Sequence, residues 1–508
     1  MTTARRRRRT REQATSTTFP MAPQPRHPGI LYTSATDENV ERIHQKSMQI
    51  LSEVGIAFLD DEAQAILRAN GVKVVDDIAY FDPAHVEELI ARAPSKFTLR
   101  ARDPQKSIVV GEDYIAFSPV AGPPFTYDLD RGRRESTMAD FVNFLKLTHM
   151  TPFLHFGGGI ISEPNDIPVP ERHLDVAYAQ AKYIDRSHMG SSISRDAAND
   201  AIHVARLVHG DAFDDGDPRL MIIVNVSSPR RLDERMLGSL IENARAGQVI
   251  VITPFILSGA MGPVSIAGTL AQLNAEALAG LAFVQMVNPG CPVIYGSFQA
   301  VIDLQSGAPV FGAPESQLSA LVSIQLARRY GLPFRGSGMY TSSKVPDAQS
   351  AYESAMAMLP GLFSGTNYVL HAAGWLEAGL TAGYEKFILD SELLGMFHKY
   401  LSGIDFSEEA FAMDSIREVE PGGHHLGTAH TMANFRDAFY RAEIFDYNSA
   451  EQWLEEGGKD AVVRANTKFK QMLKAYELPA LDPGIEEAIR EYIERRRIDI
   501  QNNPQDAY

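Results

Sequence analysis

Residues 221–255 read MIIVNVSSPRRLDERMLGSLIENARAGQVIVITPF. Met221–Val226 is an apolar run too short to be a globular helix, and it ends in Ser227-Ser228. A helical stretch follows over Asp233–Ala246, and a second apolar run spans Val249–Phe255. Further runs of the same kind occur at Tyr114–Val120, Phe153–Phe156, Ser187–Met189, Pro292–Gly296, Leu332–Arg335 and Asn367–His371. Helical segments separate most of them, over Glu171–Ile184, Ala197–Val208, Ala271–Val287, Ser316–Tyr330 and Ala348–Leu359. Eight strands with intervening helices predict an α/β fold of the TIM (β/α)8 barrel type, in preference to an open doubly wound sheet.

Almost every predicted strand ends in small or polar residues, among them Ser118, Gly157–Gly159, Gly190-Ser191-Ser192, Ser258-Gly259, Gly296-Ser297 and Ala372-Ala373-Gly374. Tight turns need glycine in any case, but endings in phase with the strands also let a ligand approach the backbone. A dinucleotide fold is not supported, because Gly157-Gly158-Gly159 runs into Ile160-Ile161-Ser162 and lacks the G-x-G-x-x-G fingerprint. Around the barrel, assigned to residues 114–420, the pattern predicts a disordered tail over 1–36, an α+β cap over 37–113 and a helical extension over 421–508 packed on the barrel.

The 508 residues carry 48 basic against 64 acidic side chains, a formal charge of -16. That balance argues against general nucleic-acid binding and suits a small cationic ligand. A single cysteine, Cys291, rules out an intramolecular disulfide and a Cys-rich metal centre. Arg5–Arg9 are followed by no apolar stretch, and no run reaches 18 uninterrupted apolar residues, so the expectation is a cytoplasmic protein without a membrane span.

The densest chemistry lies between Phe334 and Glu353. Asp347 can either cap the helix that follows or point into a cavity, and Tyr352 and Glu353 come one to two turns later. The rings Phe255, Tyr295, Phe298, Phe334, Tyr340 and Trp375 lie near strand ends, where they can either fill the core or hold a quaternary ammonium by cation–π attraction. His155 and His371 are placed at the ends of the second and eighth strands. His424, His425 and His430 match no strong zinc spacing, and no metal site is assigned.

Longer phrases narrow the field. Tyr352-Glu353-Ser354, Leu359-Pro360-Gly361-Leu362-Phe363-Ser364-Gly365, Leu370–Glu377, His430–Arg436 and Gln452-Trp453 together resemble the trimethylamine methyltransferase family, over residues 37 to 475. The resemblance implies a TIM barrel that moves a methyl group from a methylamine to the Co(I) of a corrinoid held by a separate protein, with no tightly bound cofactor of its own. Archaeal trimethylamine members carry pyrrolysine; this chain has only standard residues, which points to the branch resembling glycine betaine methyltransferase. On that reading Glu353, His371 and Tyr352 are catalytic candidates. The substrate-binding candidates are the rings Phe255, Tyr295, Phe298, Phe334, Tyr340 and Trp375, together with Asp347 and with Arg335 and Lys344. Arg335, Lys344 and His371 are the groups able to meet a betaine carboxylate. The expected partners are a cognate corrinoid protein, a small methylated amine and further copies of the chain, without nucleic acid or membrane. The competing readings are a non-catalytic quaternary-ammonium binder and a different TIM-barrel enzyme.

Overall fold

The computed structural model describes residues 20–336 and 338–502. Both apolar runs of the 221–255 unit are strands, Leu220–Val226 and Val249–Ser258, parallel and in register from Met221 opposite Val249 to Val226 opposite Pro254. Between them Glu234–Arg245 is a helix, started by Asp233, whose carboxylate accepts the Met236 N–H. Leu237, Leu240, Ile241 and Ala244 recur at helix spacing and are buried against the sheet.

Parallel partners continue in both directions. In order they are His188–Met189, Leu220–Val226, Val249–Ser258, Val293–Gly296, Phe334–Arg335, Tyr368–Val369 and Ala116–Phe117. Residues 153–156, expected as a strand, form no ladder, because the His155 and Phe156 N–H groups both donate to the Phe117 carbonyl. The next residues reach the other edge of the sheet: the Gly157 N–H donates to the Ser187 carbonyl, and the Met189 N–H to the Gly158 carbonyl. Several strands were not foreseen. Phe298–Ile302 pairs with the far end of Val249–Ser258, Phe298 opposite Phe255, and the antiparallel Pro309–Val310 beside it makes the sheet mixed. Phe125–Asp128, Gly132–Glu135, Trp375–Leu376 and Thr381–Gly383 form a separate sheet.

Alternation along the strands separates two faces. Ala116, Met221, Val249, Val251, Ile294 and Tyr368 meet one another on the concave face. Ile222, Val224, Ile250, Ile252, Tyr295 and Phe334 pack outward against helices. Each buried Val, Ile, Met or Phe among them contributes roughly 1.5–3 kcal/mol by leaving water, so both faces stabilise the curl. The hairpin of Lys96–Leu99 and Ile108–Gly111 adds Leu99, Ile108 and Val110 to the concave cluster. That apolar plug fills the N-terminal end of the strands and leaves the C-terminal end for polar residues.

The cap packs on the outside. Asp37–Gln49 and Pro83–Ile90 cover the helix Ile266–Val287, and Ala57-Phe58 pair in parallel with Arg231-Leu232. That double cover explains why Ile266–Val287 is apolar all round; it is long and apolar enough to cross a membrane, yet its apolar window is 94% buried within the molecule. Residues 20–36, expected to be part of a disordered tail, are instead a packed strap. Gln24 exchanges hydrogen bonds with the Val109 backbone, and His27 sits between the Leu362 and Thr366 carbonyls. Side chain-to-backbone bonds of this kind leave no periodic signal. The rest of the expected tail, residues 1–19 with Arg5–Arg9, lies outside the described residues. In the C-terminal extension, Ala461–Ala475 packs on Tyr384–Leu401, and Pro483–Asn502 on Val169–Tyr183. The intervening 403–458 holds only helices of four to six residues.

Candidate active site

Above the apolar plug, the concave face turns polar at the C-terminal ends of the strands. Phe334 and Arg335 are neighbours on one strand, so when Phe334 packs outward Arg335 must point inward. The guanidinium is 2% exposed. Its Nη1 donates to the Ser297 carbonyl at 3.2 Å, and its Nη2 lies 3.2 Å from His371 Nε2. Arg335 Nε has no partner among the described residues, and burial lowers the pKa of the group without any carboxylate to offset it. Close approach of the strands here depends on Gly296, where a Cβ would sit 2.1 Å from Thr253 Oγ1.

His371 leaves the Tyr368–Val369 strand with φ +64°, a left-handed conformation uncommon for a residue with a side chain. The turn is held by the Ala372 N–H donating to the Ser118 carbonyl at 2.8 Å. It aims the ring inward, where Nδ1 accepts the Ala121 N–H at 3.2 Å. Burial, reinforced by the adjacent Arg335 charge, pushes the imidazole well below its usual pKa, so the ring is neutral.

Phe298 is the hub of an aromatic cluster. Its ring centroid lies 5.1 Å from Phe255, 5.3 Å from Tyr340, 5.5 Å from Phe311, 5.9 Å from His371 and 6.0 Å from Trp375. The Arg335 guanidinium stands 5.3 Å from the Phe298 centroid. Phe311, Tyr340 and Trp375 are buried, whereas Phe255 and Phe298 keep a partly open side. A cavity of about 450 Å³ at the C-terminal ends of the strands is lined by Gly159, Gly190, Ser191, Ser192, Ile223 and Asn225, and by Gly122, the chain neighbour of Ala121; the ring cluster itself does not line it.

The structure thus brings Phe255, Phe298, Arg335, Tyr340, His371 and Trp375 together and places the other candidates elsewhere. Tyr295 and Phe334 face the outer helices, with Tyr295 donating to Asn274 Oδ1 at 2.9 Å. Tyr352 is 77% exposed. Lys344 is exposed and donates to the Ser342 carbonyl. Asp347 caps the helix Ala348–Phe363, accepting the Ser350 N–H and the Ser343 hydroxyl, both at 2.9 Å. Glu353 accepts from Thr341 Oγ1 at 2.6 Å and from the Ser342 N–H at 2.8 Å. Trp375 Nε1 donates to the Thr341 carbonyl, so Glu353 reaches the ring cluster only through that loop. Gly312 lets Glu353 pass, since a Cβ there would lie 2.6 Å from Glu353 Cβ.

His155 is also outside the cluster, stacked 5.2 Å from His398 behind the sheet. Among the described residues no three His, Cys, Asp or Glu side chains could hold a metal ion; His425 is bonded to the Ser415 hydroxyl. Cys291 is buried, and burial pushes its thiol up to about 12, which removes it as a nucleophile. Phe311, the Ser297 carbonyl and the Ala121 N–H were not anticipated. Phe311 follows the unforeseen strand pair rather than a predicted strand end, and backbone groups have no signature in composition.

Comparison with known proteins agrees with the layout. The family model for trimethylamine methyltransferase (MTTB) matches residues 3–501. Glycine betaine methyltransferase from Desulfitobacterium hafniense (strain Y51) is 40% identical over 467 residues, covering 92% of this chain and 97% of that protein. Proline betaine:corrinoid methyltransferase from Eubacterium limosum is 28% identical, covering 91% and 97%. Trimethylamine methyltransferase MttB from Methanosarcina barkeri (strain Fusaro / DSM 804) is 27% identical, covering 90% and 94%. A match that runs nearly end to end, at this identity, makes the chain a member of the trimethylamine methyltransferase family and an enzyme of that corrinoid-dependent methyltransferase class.

Proposed function

We propose that this protein transfers a methyl group from a quaternary or tertiary methylated amine of the glycine betaine type to the Co(I) of a corrinoid carried by a separate protein. The observation that carries this reading is the ring cluster around Phe298, in which Phe255 and Phe298 stay partly exposed, built next to an inward arginine. Ring faces attract a quaternary methylammonium, which has no N–H to donate. The extent of the match to the betaine methyltransferases supports the same chemistry.

Transfer from a quaternary amine is an in-line displacement. The cobalt lone pair forms the Co–C bond, the C–N bond breaks, and its electron pair stays on nitrogen as a neutral tertiary amine. No proton moves, so a buried neutral His371 fits a binding role. The chain's own task is to orient one methyl group toward the mouth and exclude water. Glu353 positions the 341–342 loop under Trp375, and Tyr352 and Lys344 receive no role.

The barrel reading belongs here too. A closed (β/α)8 ring is supported by the hydrogen bonds of residues 155–158 to both edges of the sheet. A Co(I) acceptor requires a reducing compartment, which favours the cytoplasm. We also propose a homo-oligomer. Phe406, Leu426, Phe435, Phe439 and Tyr447 stand 57–85% exposed within 403–458. A corrinoid carrier must come and go, so a permanently apolar segment calls for a permanent cover, and a second copy of this chain supplies one. Sedimentation at micromolar concentration should give a dimer or larger assembly; a monomer would end that proposal.

The test of activity is to mix the protein with reduced corrinoid protein and a panel of methylated amines, and to follow the visible spectrum. Conversion of Co(I) to methyl-Co(III) with a betaine-type amine is expected. No conversion with any amine, when the same corrinoid protein accepts methyl from a known methyltransferase, overturns it.

A further inference from the structure

Arg335 and His371 present an unresolved excess of donors. The Ala121 N–H occupies Nδ1 of His371, which assigns the ring proton to Nε2. Nε2–H then faces Arg335 Nη2 at 3.2 Å, donor against donor, since a guanidinium accepts nothing. The other ring tautomer only moves the conflict to Ala121. Arg335 Nε is a third donor without a partner among the described residues. These donors converge in a region 2–6% exposed, where an unpaired cation is costly to bury. An oxygen anion placed between the two side chains accepts from both and neutralises the guanidinium.

Resting on the methyltransferase reading above, we propose that Arg335 and the Nε2–H of His371 hold the carboxylate of a zwitterionic betaine, and that this contact selects betaines over simple methylated amines. The same residues fix the orientation. His371 is stacked with Phe298 at an interplanar angle of 28°, so a carboxylate on His371 puts a neighbouring trimethylammonium along the Phe298 face. The partly exposed sides of Phe298 and Phe255 leave that cation reachable from outside the ring cluster. Lys344, the other cation considered for this role, is bonded to the Ser342 carbonyl on the surface and takes no part.

The test is calorimetric titration of the full chain with glycine betaine, choline and tetramethylammonium, on wild type, Arg335→Gln and Arg335→Lys. Charge-assisted hydrogen bonds predict that wild type binds glycine betaine roughly 10- to 100-fold tighter than either carboxylate-free cation, and that Arg335→Gln erases most of that ratio by weakening betaine alone. Arg335→Lys, which keeps the charge but not the fork, should restore part of the ratio. Equal binding of the three ligands by wild type overturns the proposal, and so does an Arg335→Gln variant that weakens all three alike. The wild-type panel decides the matter even if a variant fails to fold. Running methyl transfer in parallel separates the two claims. Betaine-dependent methylation without carboxylate selectivity defeats the anchor and keeps the enzyme. Carboxylate-dependent binding without methylation by any amine keeps the anchor and defeats the enzyme.

Discussion

Arg186 and Arg335 are both arginines 2% exposed, and their surroundings could hardly differ more. Arg186 lies beneath the C-terminal end of the helix Met138–Met150. Its Nη1 donates to the carbonyls of Thr148, Thr151 and Leu154, and its Nη2 to that of His149. His149 is in the last turn of that helix, and the Thr148 and Thr151 carbonyls each also accept one backbone N–H, so Arg186 completes the acceptors at the negative end of the helix dipole and of the turn after it. Asp185 next to it adds a favourable charge. Among the described residues Arg335 has one carbonyl, the Nε2 of a histidine whose Nδ1 already accepts the Ala121 N–H, and no carboxylate. Among the described residues both leave Nε without a partner, so the contrast lies in the acceptors around the two terminal nitrogens. A closed set of acceptors marks a cation that serves the fold. An open set, beside the rings around Phe298, leaves a cation available to a ligand.

Substitutions should separate the two in stability. Arg186→Met removes the side-chain donor from four buried carbonyls at and just beyond the helix end and should cost about 3–5 kcal/mol in chemical denaturation, the largest effect expected here. A loss under 1 kcal/mol, on the order of a surface change, would break the contrast.

Asp185 comes next. Burial by itself would raise its carboxyl, but hydrogen bonds and charge from His149 and Lys106, the latter at 2.6 Å, outweigh that and hold it below its ordinary value of 3.8. A depressed folded value means the stabilisation is complete above the ordinary value and is lost as pH falls through the folded one. Asp185→Asn should therefore cost about 2 kcal/mol near neutral pH and flatten the acid limb of the stability profile. An unchanged acid limb would remove Asp185 from the Arg186 side of the comparison.

Glu353→Gln weakens the hold on the Thr341 hydroxyl and the Ser342 N–H, with an expected loss of about 1 kcal/mol and a raised KM through the loop under Trp375. A fall in kcat with KM unchanged would instead place Glu353 at the reacting atoms. Arg335→Met should show the smallest effect on the ligand-free protein: a Tm unchanged or raised, because removing an unpaired buried cation relieves desolvation. A Tm drop as large as that of Arg186→Met would make Arg335 a structural residue.

Much of this was legible in the residues. Short apolar runs separated by helices located the strands, and small residues after them located the polar end. The phase within each run was not legible. Strands covered on both faces are apolar on both, so nothing in the sequence distinguishes Tyr295 and Phe334, which point out, from Arg335 and Phe255, which point in. The helix phase of Tyr352 and Glu353 was hidden for a related reason, since both polar caps and site residues follow the same loop. Phe153–Phe156 failed as a strand because two successive N–H groups share the Phe117 carbonyl, a backbone event without a side-chain signal. The phrases shared with the trimethylamine methyltransferase family reached further than periodicity, and the family match over 3–501 agrees with them.

The most direct measurement is a crystal structure of the protein with glycine betaine bound. The account predicts carboxylate oxygens within hydrogen-bond reach of Arg335 and His371 Nε2, with the trimethylammonium over the Phe298 face and one methyl toward the mouth cavity. A betaine whose carboxylate rests on Ser191 and Ser192 at the mouth, with the Arg335 guanidinium untouched, would contradict it.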